Sequence, residues 1–298
     1  MTVIGTPTFR AIVIQLQRIV GGVQDLAGAT LQALVLQLIK TSRPQLADEL
    51  QQPTALRPYL VSLLRDECTP AQLALRVAAL DGVVIEAVVE ACSLAQATGT
   101  LLLLGNARYR IGAVITDPRS SPWAGASTLA GVHHAAAAAG ATLHVHVASP
   151  LLPRALVARS LAPGRTDGAA NLVPLLFTAI AGRWRAAAPS AMVPTDAAIC
   201  EAAASVKVLR TNLRPALHLL RCGQRREERW GYRGELVIQL GVMREHQLLL
   251  QALVGIAFFS GAGVATTRGM GTLRRVDGYV DAPTSSGQGE LNRQTARG

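Results

Sequence analysis

The sequence predicts an α+β protein built from two tandem ferredoxin-like modules, each a βαββαβ unit whose antiparallel sheet carries helices on one face. Three observations predict it. The 298 residues are 50% hydrophobic, which is enough apolar material for two cores. The same order of extended and helical segments occurs twice along the chain. A Pro/Ser/Gly-rich stretch, Asp117 to Gly125, and an Ala-rich helical stretch, Ser127 to Ala139, separate the two copies. The copies share no obvious residue identity, so the repeat is one of element order.

In the first copy, residues 8–17 (TFRAIVIQLQ) form a β-branched, partly alternating run that suits a strand. Residues 28–41 place Leu31, Val35 and Leu38 at helical spacing. Residues 58–65 and 72–80 return to short strands. Asp81 caps a helix that runs to about Gln96 and ends at Gly99. Residues 101–115 read as a hairpin turning at Gly105-Asn106. In the second copy, 141–149 (ATLHVHVAS) is a strand, Leu172–Ala187 a helix and Ser205–Leu220 extended. Tyr232–Leu240 is a strand, His246–Phe259 a helix, and Gly271–Val280 the last strand. The modules are therefore expected at 1–140, with the connector helix, and at 141–281, with the polar tail 282–298 disordered.

Charge is placed unevenly. Residues 1–149 carry 10 Lys and Arg against 9 Asp and Glu, whereas residues 150–298 carry 19 against 10. The later half is the expected home of a polyanion contact. All but two of the 29 cations are Arg, whose planar fork matches phosphate and stacks on bases. Lys207, Arg210, Arg214, Arg221, Arg225, Arg226, Arg229 and Arg233 face only Glu227 and Glu228 within residues 207–233. This cluster is expected on a loop between two strands, where it can follow the phosphates of a folded RNA. The alternative reading is a solvated basic face.

Other function classes find no support. The longest apolar stretch, Leu248 to Phe259, is interrupted by Gln251 and falls short of the roughly 20 residues that cross a bilayer. The start, MTVIGTPTFR, lacks the layout of a secretory signal, so the expected compartment is the cytoplasm. Cys68, Cys92, Cys200 and Cys222 form no C-x-x-C and read as buried small residues of a reduced protein, not as zinc ligands. No metal and no cofactor is expected. His133 and His134 read as an exposed helical pair, His144 and His146 as sheet-face packing, and His218 and His246 as surface or element-edge residues. No G-x-S-x-G elbow supports serine catalysis.

The most informative segment is FFSGAGVATTRGMGTLRRV, Phe258 to Val276. Gly261, Gly263, Gly269 and Gly271, with Thr266, Thr267 and Arg268 between them, suggest a backbone that turns tightly and offers N–H groups to phosphate. It follows a helix and opens a strand, the reverse of a dinucleotide fingerprint, and no Gly-Lys-Ser/Thr closes it as in a P-loop. This segment resembles the C-terminal glycine-rich loop of the CRISPR-associated repeat-RNA endoribonucleases, the sixth Cas family of the RAMP superfamily. VKVLRTNLRP (206–215) and WGYRGELVIQL (230–240) resemble that family's paired central strands. ITDPRSSPWAGAST (115–128) and LHVHVASPLLPR (143–154) resemble its middle, and LAGATLQALVLQLI (26–39) its first helix.

The resemblance implies two ferredoxin-like modules that bind the repeat of a precursor CRISPR RNA and cut it once without metal. In that chemistry the 2′-hydroxyl attacks in line, leaving a 2′,3′-cyclic phosphate and a 5′-hydroxyl. It also implies RNA contacts by Arg210, Arg214, Arg225, Arg226 and Arg229 and by the glycine-rich loop. The implied partners are repeat RNA, precursor and mature guide, with a CRISPR effector complex and a second copy of the chain as further candidates. One position departs. Many members open the first helix with Leu-His-Gly, whose His moves a proton, and here the triplet is Leu26-Ala27-Gly28. Either Ala27 is an introduced change that preserves uncut RNA, or the chain binds without cutting as a guide-holding subunit, or it cuts with other residues.

Overall fold

The computed structural model describes residues 8–22, 26–52, 58–69, 71–157, 169–187, 194–221 and 225–276. The tail from 282 and the expected end of the last strand, 277–280, lie outside them. The first module runs β1 (Thr8–Val20), α1 (Gly28–Ser42), α2 (Pro44–Gln51), β2 (Tyr59–Leu63), β3 (Gln72–Ala79), α3 (Gly82–Thr98), β4 (Leu102–Leu104) and β5 (Ala107–Ile115). Its antiparallel sheet has the order β2-β3-β1-β5-β4. After it come β6 (Gly125–Thr128), which pairs with the start of β1, and α4 (Leu129–Ala138).

The second module runs β7 (Thr142–Leu151), α5 (Ala169–Ala187), α6 (Asp196–Ala204), β8 (Lys207–Thr211), β9 (Arg214–Arg221), β10 (Glu227–Gln239), α7 (Arg244–Ser260) and β11 (Leu273–Arg275). Its order is β11-β7-β10-β8, with β9 also on β10. Both sheets place the fourth strand beside the first, then the third, then the second. That is the ferredoxin-like arrangement expected from element order.

Local chemistry explains most boundaries. The Asp81 carboxylate accepts the Val83 N–H at 3.0 Å, and Gly99 ends α3 in the left-handed conformation at φ 67°. Gly105, at φ 62°, turns the β4–β5 hairpin. Pro44 stops α1 and opens α2, a helix that the apolar spacing alone did not predict. Helix α6 was also not anticipated; Thr195 caps it by accepting the Ala198 N–H at 3.2 Å.

The extended run 205–220 divides into β8 and β9. Both keep one register on β10, from Arg210 opposite Val237 to Leu219 opposite Glu228. The interruption falls opposite Gly234, at φ 129°, where a Cβ would overlap the Asn212 carbonyl. Strand β10 starts at Glu227 rather than at Tyr232, and β7 pairs with it only from Tyr232 onward. The basic stretch is therefore a two-stranded ribbon whose outer end projects beyond the sheet, not the expected loop.

Strand β1 is buried on both faces. Ile12, Ile14 and Leu16 pack under α1 and α3. Phe9 and Ala11, with Leu60 and Ala78, join the core of the second module around Leu253, Ile256 and Phe259 of α7. The connector helix α4 buries Val132 and Ala136 in that same core. Arg76 lies between the modules with no solvent exposure. It donates from Nε to the Trp123 carbonyl at 2.9 Å and from Nη2 to the Phe258 carbonyl at 2.5 Å. Burial pushes its pKa down to about 9. Of the cysteines, Cys92 is buried and its thiol is pushed up to about 12 by burial. Cys68 is only half-buried, in the turn before β3, and Cys200 is exposed on α6, whose buried face is Ile199, Ala202 and Ala203; Cys222 lies outside the described residues.

Candidate nucleic-acid interface

The N-terminus of α1, the glycine-rich loop and the projecting β9–β10 ribbon meet at one cleft of about 260 Å3. Leu26, Arg65, Ser149, His218, Arg226 and Gly269 are among its walls, so both modules contribute. A larger groove of about 560 Å3 beside Arg10, Glu86 and Glu90 holds none of the residues singled out in the sequence. Its charges are paired, Arg10 to Glu86 at 3.1 Å and Arg43 to Glu90 at 2.6 Å.

The loop hangs on the end of β7. Gly271 N–H donates to the Pro150 carbonyl at 2.9 Å, Val264 N–H to the Leu152 carbonyl at 3.0 Å, and Thr272 N–H to Ser149 Oγ at 2.9 Å. Ala262 N–H donates to Gly271 O at 2.9 Å, while Arg268 and Met270 N–H both donate to Ala265 O. The amides of Gly261, Arg268 and Gly271 are thus bonded within the chain, whereas among the described residues those of Gly263, Thr266, Thr267 and Gly269 make no such backbone bond. The glycines also permit close approach. A Cβ on Gly263 would overlap the Leu152 carbonyl, and one on Gly271 the Ala262 carbonyl. Gly261 has φ 70°, with the Thr266 methyl and the Gly271 carbonyl about its α-carbon. Thr266 and Thr267 head a 3-10 turn, Thr266–Arg268, with their side chains buried.

Arg268 joins the three elements. Its Nε donates to Gln32 Oε1 on α1 at 3.2 Å, and its Nη1 lies 3.9 Å from Glu227 on β10. Its carbonyl packs against Gly28, where any Cβ would overlap the oxygen. Glycine after Ala27 is thus required by the approach of helix to loop. Ala27 is the N-cap of α1 and is 2% exposed, with no side-chain cap bond.

The same Arg268 carbonyl accepts a hydrogen bond from His218 Nε2 at 2.7 Å. His218 is 6% exposed on β9, not at the surface as expected. On that strand Ala216, His218 and Leu220 point to one face, and Leu220 packs on Leu152 and Met270 beneath the loop. Burial lowers its pKa, the bond to Arg268 opposes that, and Arg65 lowers it further; the net direction is down. The one signal for it in the sequence is a lone His inside an apolar run, PALHLL (215–220).

The predicted cations divide. Arg225 and Arg226 stand exposed at the ribbon tip, Arg226 paired with Glu228 at 2.5 Å. Arg229 lies opposite His218 and 3.5 Å from Glu227. Arg214 donates to Asn212 Oδ1 at 3.1 Å at the start of β9. Arg210 is farther along the ribbon on β8, 3.4 Å from Glu235. Glu235 also lies 3.6 Å from His144 and 3.9 Å from His146, an acidic neighbour not visible in the spacing. Among the described residues, no group of three His, Cys, Asp or Glu could hold a metal ion, and no helix is long and apolar enough to cross a membrane.

No protein-family profile and no curated protein matches the chain. Solved structures do. Thermus thermophilus Cas6 in a product complex superposes with a TM-score of 0.70 at 23% identity, over 90% of this chain and 100% of that one. The chain has the Cas6 fold. Thermus thermophilus Cas6 alone gives a TM-score of 0.65 at 22% identity, covering 90% and 98% of the two chains. A second Cas6 in a substrate-mimic complex gives 0.64 at 20%, covering 91% and 100%. The likeness spans both modules, so the cleft described above belongs to a Cas6 fold from end to end.

Proposed function

We propose that this chain binds the repeat of a CRISPR precursor RNA and cuts it once without metal, the 2′-hydroxyl attacking the adjacent phosphorus. The products are a 2′,3′-cyclic phosphate and a 5′-hydroxyl. The observation that carries this reading is the convergence of α1, the glycine-rich loop and the basic ribbon on one cleft within a Cas6 fold. Structures of that fold include product and substrate-mimic complexes. In the cleft, guanidinium groups such as Arg65, Arg226, Arg233 and Arg268 would neutralise phosphates and the charge that grows on the phosphorane. The loop would act through Arg268, through the amides of Gly263, Thr266, Thr267 and Gly269, and by shape.

Buried Ala27, which cannot transfer a proton, favours a second reading: a subunit that retains the guide RNA within an effector complex and does not cut. Incubation of the protein and its Ala27→His variant with repeat RNA in EDTA separates the two. One cut ending in a cyclic phosphate supports the nuclease. Tight binding without a cut by either protein supports the retaining subunit. A cut that needs added magnesium contradicts the metal-free mechanism.

A further inference from the structure

We propose that His218, through Nδ1, is the proton acceptor for cleavage in this chain, in place of the proton carrier that position 27 lacks. This rests on the reading of the cleft as an RNA-cleaving site.

Geometry carries the argument. One backbone oxygen, that of Arg268, touches Gly28 on one side and accepts from His218 Nε2 at 2.7 Å on the other. His218 therefore sits a single carbonyl away from the residue that follows Ala27. A carbonyl only accepts, so the hydrogen is on Nε2 and the lone pair on Nδ1. The bond fixes the ring's orientation and leaves Nδ1 as the ring atom for a ligand in the cleft that His218 lines. A base must be unprotonated to work. Burial disfavours the imidazolium most, the bond to the Arg268 carbonyl opposes that, and Arg65 from the turn after β2 disfavours it further, so the net direction is down. The other charged groups around the ring are Arg229 across the ribbon and Arg226, Glu228 and Arg233 at the cleft wall. Glu227 is held by Arg229 and Arg268, and Glu228 by Arg226.

The step balances. The 2′-oxygen bonds to phosphorus as its proton passes to Nδ1. The bond from phosphorus to the 5′-oxygen breaks with its electron pair on that oxygen, which takes a proton from water. The imidazolium then returns its proton to the hydroxide formed.

His218→Gln tests it. The glutamine amide keeps an N–H donor at the place of Nε2, so the loop stays anchored, but it has no titrating nitrogen. With a hairpin RNA of the repeat from the same genome, the variant should bind as the parent does and cleave about 10²- to 10⁴-fold more slowly. For the parent, kcat/KM should fall at low pH, with a midpoint below the ordinary histidine value near 6.5, and be level above it. The variant should lose that limb. Equal cleavage by parent and variant overturns the proposal, as does a parent profile flat from pH 5 to 8. A parent that binds but does not cut also overturns it, while leaving the RNA-binding reading intact. A parent that does not bind the repeat RNA overturns both.

Discussion

Gly28 illustrates how one residue positions the cleft. Nothing in its own backbone demands glycine; the Arg268 carbonyl does, because a side chain there would push α1 off the loop. Gly28→Ala should therefore destabilise the fold by about 1–3 kcal/mol, the usual range for overpacking. It should also weaken RNA binding more than the stability loss explains. Urea unfolding and a binding isotherm on the same preparation check both, and an unchanged midpoint would place helix and loop farther apart than described. Such residues were half legible. Glycines at 261, 263, 269 and 271 announced that something comes close to the backbone, whereas Gly28 stood out only as part of the Leu26-Ala27-Gly28 triplet. They did not say whether it is ligand or protein, and at 28, 263 and 271 it is a carbonyl of the chain itself. His218 was hidden for a related reason. In PALHLL every neighbour is apolar, so alternation does not reveal which face is buried, and only packing against the loop does.

At the scale of elements, period and capping residues revealed what local chemistry determines: β1, α1, α3 with its Asp81 and Gly99, and the hairpin at Gly105. They missed α2, α6 and the true start of β10. Residues 225–231 are rich in charge and carry no apolar alternation, so they read as a loop. Their strand is imposed by pairing with β9, a tertiary effect on weak local preference. The ribbon makes a definite prediction. Arg225 and Arg226 are exposed at its tip and available to phosphates. Arg225→Ala with Arg226→Ala should reduce the magnitude of the slope of log K against log salt by about one to two. Thermal stability should change little, since an exposed pair such as Arg226–Glu228 contributes at most about 1 kcal/mol. An unaltered slope would remove the ribbon tip from the interface.

Across the whole molecule, the two modules do not fold as beads on a string. Phe9 of the first lies 5.7 Å from Phe259 of the second, ring centre to ring centre, within one shared core. Arg76 ties the two carbonyls of Trp123 and Phe258 across the boundary, its guanidinium over both rings. One cooperative unfolding transition is expected, followed by calorimetry and by circular dichroism. Arg76→Ala should lower stability by about 3 kcal/mol or more, since it opens a cavity and leaves two buried acceptors without donors. Two separate transitions in the parent would contradict the shared core. That core fixes the angle between the modules and so brings α1 of one against the loop and ribbon of the other. The claim that this junction is where RNA lies is tested most directly by photocrosslinking the repeat RNA to the protein at low salt and mapping the attached peptides. The account predicts attachment within residues 26–32, 214–233 and 265–275. Attachment confined to the helical layer of α3, α5 and α6 would contradict it.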